Sequence, residues 1–398
     1  MSERATDAGV TCSVEGYDWL SSARTEWDEL ISSSACDPLF NGWAWRFCWW
    51  RAYLEAGESD QASASDVHTR NADAANSRLC ILVLRNAVGR LDAVLPLYVH
   101  RAEVRGRLHC RRLELLGCSL RGGRAGLELS EYCDACVRIG HERVAAKVFA
   151  AAMLKLDWDD FSAQAVREDS WVRQQLLPAL HQQSHTRLRV RELDSMTSWG
   201  VPLSEGGDRW RGRLSSNVRR RAIGQRSRVA DAALRAIARS DFPALVEELN
   251  RYHIVRWGRP VYSPLRQRFH ERLLDLLPDN AFAATTLRAG SMPISVLYNL
   301  RLHDREYNLQ SGFSADAARG LSIGYQHLGY AIERAAQAGV AYFDMLGGDG
   351  RSRAYKADLG ERGCLMWGLQ VLRSPKFKLL YRAWDAWAAY RRHGVTSR

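Results

Sequence analysis

The sequence contains no run of about 18 uncharged apolar residues, the shortest stretch that crosses a bilayer as a helix, so no membrane span is expected. Met1–Val10 also lacks the basic start and apolar stretch of a secretory leader, being mostly polar or small with a slight acidic excess. A cytoplasmic protein is therefore expected. The nine cysteines are odd in number, and Cys133 with Cys136 forms the one close CxxC pair. No second pair or histidines at ligand spacing accompany them beyond His141, so no metal site is expected and the cysteines read as reduced.

What is present is a chain of 398 residues, long enough for two medium domains. Its 46% hydrophobic content and 14 tryptophans exclude a disordered chain. The net charge is +11, and its distribution is uneven. From Arg209 to Arg228 there are eight arginines and no acidic residue. Such a block attracts anions: the phosphates of a cofactor, RNA or an acidic membrane surface. A solvated basic face accounts for it equally well.

Along the first half, tryptophans at 45, 49 and 50 mark a buried or amphipathic helix over Trp43–Leu54, and Gly57–Ser77 lacks periodicity and reads as a mobile insertion. Leu79–Leu84 and Leu91–Val99, separated by the polar turn Asn86–Gly89, predict a hairpin. His141–Leu156 has helical apolar spacing. Gly, Ser and Pro accumulate over Met196–Asp208, where a domain boundary is expected.

The second half predicts helices at Asp241–Trp257 and Phe269–Leu277, and strands at Ala281–Arg288, Ile294–Leu302 and Arg305–Ser311. A loop at Gly312–Ser322 leads to a helix over Ile323–Ala338 and a strand at Ala341–Leu346. The expected architecture is mixed α/β, with mostly antiparallel sheets, flanking helices and a strand–helix–strand crossover whose end can bind ligands.

This order resembles the GCN5-related N-acetyltransferase superfamily, and more narrowly the tandem-domain, FemAB-like acetyltransferases of the cellulose-biosynthesis type. In the first half the resemblance rests on "DPLFNGWAWRFCWWRAY" and on the hairpin containing Leu95-Pro96-Leu97-Tyr98. In the second it rests on "LSSNVRRRAIGQRSRV" and on the core from "ATTLRAG" through "YKADLG". It implies two tandem acyltransferase-like domains, a supporting one over 35–200 and a catalytic one over 201–372, followed by a basic aromatic helical tail over 373–398. It further implies an N-acyltransferase that passes an acyl group from acetyl-CoA or another acyl-CoA to a primary amine of a small molecule or amino sugar.

On that resemblance, Arg319, Gly320, Ser322 and Gly324 form the cofactor loop at the start of the crossover helix, where free amides and the helix dipole favour pyrophosphate. Ser322 stands where the superfamily has a glycine. Asp344 is a candidate to orient the amine or relay its proton, or else to cap the following glycine turn. Lys356 is a candidate for a phosphate or developing oxyanion, and Tyr355 for protonating the thiolate; Leu359 replaces the usual aromatic before Gly360. His327 and His303 are candidates for a base, histidine being the side chain whose ordinary range lies nearest neutrality. Gln310 and Ser311 end a strand beside this segment and are candidates for acceptor binding.

Two other functions fit the sequence. The arginine block together with Lys356 suits an aminoacyl-tRNA donor, as some FemAB-like relatives use. A tandem fold also suits a non-catalytic assembly subunit in exopolysaccharide synthesis. The tail Pro375–Arg392, rich in aromatic and basic residues, is expected to pack on the body as a helix or to touch an anionic membrane surface.

Overall fold

A computed structural model describes residues 5–7, 9–53, 77–104, 108–118, 130–229, 232–316, 320–348 and 351–394. The expected insertion at Gly57–Ser77 lies outside the described residues except for Ser77. The chain forms two compact units, Met1–Ser195 with Trp367–Arg398, and Met196–Met366. The fold is mixed α/β, as expected.

In the first unit the helix Trp43–Tyr53 buries Trp43, Trp45, Trp49 and Trp50, a payload large enough to anchor the domain. The expected hairpin forms between Ile81–Arg85 and Leu91–Leu95, with Asn86 Oδ1 accepting from the amides of Val88 and Arg90. The second strand does not run on to Val99 unbroken. Pro96 has no N–H to give a ladder, and beyond it Leu97–Val104 pairs with Leu108–Leu115 in another sheet. Leu108–Leu115 then pairs in parallel with Asp160–Arg167, and the helix Glu142–Lys155 makes the crossover between them.

The second unit repeats this crossover. Its strands run in the order Ala232–Ala236, Thr285–Ala289, Met292–Leu302, Arg305–Phe313, Tyr342–Gly347, and the 198–202 part of Arg189–Pro202. All neighbours are antiparallel except Arg305–Phe313 and Tyr342–Gly347, which are parallel and joined by the helix Ile323–Gln337. That helix buries Ile323, Leu328, Ala331, Ile332 and Ala335 on the side the apolar spacing predicts.

Two further helices pack in this unit. Pro264–Leu276 starts earlier than the apolar pattern indicates, because Ser263 Oγ accepts the Arg266 amide and Pro264 occupies the first turn, where no amide partner is needed. Phe242–Trp257 ends at Gly258, which takes the left-handed φ of 72°. It lies directly on the strand Arg305–Phe313 at Gly312, where an added Cβ would stand 3.0 Å from the Tyr252 ring.

The arginine block folds into short helical turns, Gly207–Arg213, Ser216–Arg219 and Arg220–Gly224, that pack on the crossover helix. Glu333 of that helix receives Arg211 Nε at 2.9 Å and Arg226 Nη1 at 2.7 Å. A carboxylate that is 9% exposed and holds two guanidiniums contributes more than a surface pair. Glu333→Ala is expected to lower stability by about 2 kcal/mol or more, read as a lower urea midpoint with unchanged slope.

Candidate functional site

The parallel strands Arg305–Phe313 and Tyr342–Gly347 pair over only three residues, ending at Tyr307 with Asp344. On the other side of Arg305–Phe313 the register slips, so that Tyr298 faces Gln310 while Asn299 faces Asn308, and Leu309 has no residue opposite. A bulge of this kind bends a strand and re-aims the side chains beyond it. The strand thus leaves its parallel neighbour and carries Gln310–Phe313 to the rim of a cavity of about 780 Å³. That volume is within the ordinary span of small-ligand sites, about 300–1,000 Å³.

The N-terminus of the crossover helix forms one wall, with Ser322, Ile323, Gly324 and Tyr325 on the lining. Arg221 is fixed there: its Nε donates to Ser322 Oγ at 3.2 Å, and its guanidinium lies 3.7 Å from the centre of the Tyr325 ring. Tyr325 donates to Asp358 at 2.6 Å, and its own ionisation is pushed up to about 12, by burial first and then by that carboxylate. Gly324 allows the helix to begin close against the strand end, since a Cβ would sit 3.3 Å from the Phe313 ring.

The last turns of the helix Phe242–Trp257 form another wall, with Tyr252, His253, Arg256 and Trp257 on the lining. The Gln310 amide nitrogen lies 2.9 Å from His253 Nε2 and donates to it, which makes that ring nitrogen an acceptor. Burial, and then the charges of Arg256 and Arg266, hold His253 below its ordinary value of 6.5, so it is a neutral base at pH 7. Tyr355 also lines the cavity, hydrogen-bonded to the Ser311 side chain and held above its ordinary value of 10.0 by burial. Among the described residues Arg221 and Arg256 are the charged lining groups, and no Asp or Glu joins them. Two cations and the amides of a helix start suit a polyanion such as a pyrophosphate.

Of the residues singled out from the sequence, Gln310, Ser311, Ser322, Gly324 and Tyr355 meet at this cavity. Arg319 lies outside the described residues. Gly320 does not line the cavity; it takes a left-handed φ of 72° with open space around it, so it serves the turn rather than a close approach.

The remaining candidates lie elsewhere in the unit. Asp344 is buried, paired with Arg305 Nη1 at 3.2 Å, and accepts the Leu346 amide at 2.7 Å. That bond holds the strand end at Leu346, whose φ is 60°. Lys356 places Nζ 2.6 Å from the Gly347 carbonyl, tying the helix Arg351–Leu359 to the same strand end. His303 is exposed in the turn at the far end of the Met292–Leu302 and Arg305–Phe313 hairpin.

His327 is fully buried between two hydroxyls, Thr285 Oγ1 at 3.0 Å from Nε2 and Ser295 Oγ at 2.8 Å from Nδ1. Ser295 Oγ donates onward to the Gly312 carbonyl, so it accepts from Nδ1, and Nε2 accepts from Thr285. The ring is a neutral structural link between the crossover helix and the sheet.

Sequence reasoning passed over His253, Arg256 and Trp257 and saw Arg221 only as one of a block. The available signal was the helix end before Gly258, where aromatic and cationic side chains gather instead of stopping at an apolar face. Among the described residues no group of three His, Cys, Asp or Glu side chains is placed to hold a metal ion.

Comparison with known proteins adds three findings. Residues 216–357 match the family described as "Acetyltransferase (GNAT) domain". The structure is similar to that of FemX, at 11% identity and a TM-score of 0.56, over 90% of this chain and 98% of that one. It is also similar to a conserved protein of unknown function from Bacteroides thetaiotaomicron, at 10% identity and a TM-score of 0.53, over 90% and 99% of the two chains. No curated protein matches the chain.

The His327 network has a measurable consequence. Burial first, and then Arg334, push its pKa down from 6.5 to about 3 in the folded protein. The unfolded chain takes up this proton below 6.5 and the folded one does not, so the contribution is complete above 6.5 and is lost as pH falls from there toward 3. Wild type should lose up to about 1.4 kcal/mol per pH unit through this group. In His327→Gln the fall should be shallower by about one proton, measured as urea stability against pH.

Proposed function

We propose, on the premise that residues 216–357 are a GNAT-type acetyltransferase domain in a chain with the fold of FemX, that the protein moves an acyl group from a CoA thioester to a primary amine. The amine belongs to a small molecule or an amino sugar, and it attacks directly while both substrates are bound. The observation that carries this reading is the charge of the cavity: Arg256, and Arg221 beside the start of the crossover helix with Asp358 3.6 Å from one side of its guanidinium, line it without a lining carboxylate among the described residues.

The CoA donor supplies a thioester with a good leaving group. Arg221 and the amides around Ser322–Gly324 are the groups suited to hold its phosphates. The transfer forms a C–N bond and breaks a C–S bond, so one proton must leave the amine and one must reach the sulfur. His253, neutral and lowered below 6.5, is suited to accept the first at Nε2, giving up the Gln310 hydrogen bond there and donating instead to the Ser311 carbonyl 3.4 Å away. Tyr355, a phenol raised by burial, keeps its proton at neutral pH and is suited to deliver the second. Both groups centre on Ser311, His253 Nε2 at 3.4 Å from its carbonyl and Tyr355 at its side chain. Gln310 fixes the His253 ring and, with Ser311, offers polar contacts for the acceptor.

An aminoacyl-tRNA donor finds less support. Arg209, Arg211, Arg213 and Arg226 pair with Glu205, Glu333, Glu361 and Glu333 respectively, and Arg219 donates to the carbonyls of Gly212 and Leu214. A block whose charges are matched within its own unit offers little to a nucleic-acid backbone. An assembly subunit without catalysis would not need a neutral histidine and a protonated phenol on one cavity.

The purified protein should release free CoA from acyl-CoA when given the right amine. His253→Gln and Tyr355→Phe should each lower kcat/KM by about a hundredfold, with folding unchanged. Wild-type activity should hold at pH 7 and fall below the unperturbed histidine value of 6.5. Unchanged kcat/KM in both variants would remove these roles; failure to bind CoA at millimolar concentration would remove the donor.

A further inference from the structure

The helix Pro375–Gly394 presents two unlike faces. On the inner face Phe377 and Tyr381 are buried with Ala102, Val104, Cys110 and Leu372. Its acidic residue Asp385 is taken by Arg189 Nη2 at 2.7 Å and Arg191 Nη2 at 2.6 Å. These contacts hold the inner face of the helix. On the outer face Leu379 is 70% exposed, Tyr390 78% and Trp387 43%. At 3.6 residues per turn Leu379, Ala383, Ala386 and Tyr390 share one stripe, with Trp387 at its margin.

Cations border that stripe. Lys376 and Arg391 flank one side, Arg391 lying 4.2 Å from the centre of the Trp387 ring, and Arg382 flanks the other. Beside Arg382 and Leu379 a groove of about 550 Å³ is lined by Arg187, Arg189 and Lys378 as well. Arg189 is engaged with Asp385, but among the described residues neither Arg187 nor Arg382 has a carboxylate partner. No described helix is long and apolar enough to cross a membrane.

We propose that this outer face docks on an anionic lipid surface, with Leu379, Trp387 and Tyr390 entering the headgroup boundary and Arg187 and Arg382 meeting lipid phosphates. An apolar stripe between cationic margins, on a helix already fixed to its domain, matches a bilayer interface in both hydrophobicity and charge. A second copy of the same face would bring cation against cation. A nucleic acid would meet the charges and leave Leu379 and the alanine stripe without a partner. Docking needs no rearrangement, because the inner face keeps its contacts.

Vesicle flotation of the full chain tests this. Binding is expected to phosphatidylcholine vesicles containing about 30% phosphatidylglycerol and not to pure phosphatidylcholine, and it should weaken at about 0.5 M salt. Leu379→Ser with Tyr390→Ser should cut partitioning about tenfold. Arg187→Gln with Arg382→Gln should cut it by about fivefold for each cation removed. Thermal midpoints should not move, since all four side chains are outside the core. The proposal is overturned if wild type ignores the anionic vesicles, if both double variants bind as wild type does, or if the face instead drives self-association that Leu379→Ser abolishes.

Discussion

Two parallel strands that part after three residue pairs set the position of everything in the candidate site. If Arg305–Phe313 stayed paired with Tyr342–Gly347 to its end, the space at their C-terminal ends would be closed by backbone. The bulge at Leu309 bends one strand away, while Asp344 and Lys356 hold the end of the other, one through the Leu346 amide and the other through the Gly347 carbonyl. The divergence is therefore fixed from both sides. The crossover helix must then begin at the mouth of the gap, since it starts from the end of the first strand and leads back to the second. Its first amides thereby lie at the cavity lining.

Charge in this unit is divided between structure and cavity. Most of the arginine block is matched to nearby carboxylates or carbonyls and serves to fasten short helical turns on the crossover helix. Arg221 combines the two uses: it stacks on Tyr325, contacts Ser322 and still faces the cavity. A high count of arginines in sequence was thus a poor measure of free positive surface, because partners such as Glu333 come from a segment about a hundred residues away.

The second half was largely legible because its elements are long and strongly periodic: the crossover helix and its flanking strands occur within two residues of their expected limits. The first-unit hairpin was legible up to Pro96, where a single missing N–H sends the chain to another sheet. Among site residues, Tyr355, Ser311, Gln310, Ser322 and Gly324 could be found from order along the chain. His327 and His253 could not be told apart, since sequence does not say which histidine will meet two buried hydroxyls and which will meet a glutamine at a cavity wall. The Asp344 carboxylate likewise took the turn-holding alternative because the left-handed residue that follows it needs its amide satisfied.

The proposed acyl transfer requires that the cavity at the strand divergence hold the CoA thioester. A structure determined with bound CoA addresses this most directly. The pyrophosphate is expected against Arg221 and the amides around Ser322–Gly324, with the sulfur end toward Ser311 and Tyr355. CoA bound away from this cavity, leaving Arg221 and the helix start without contact, would contradict it.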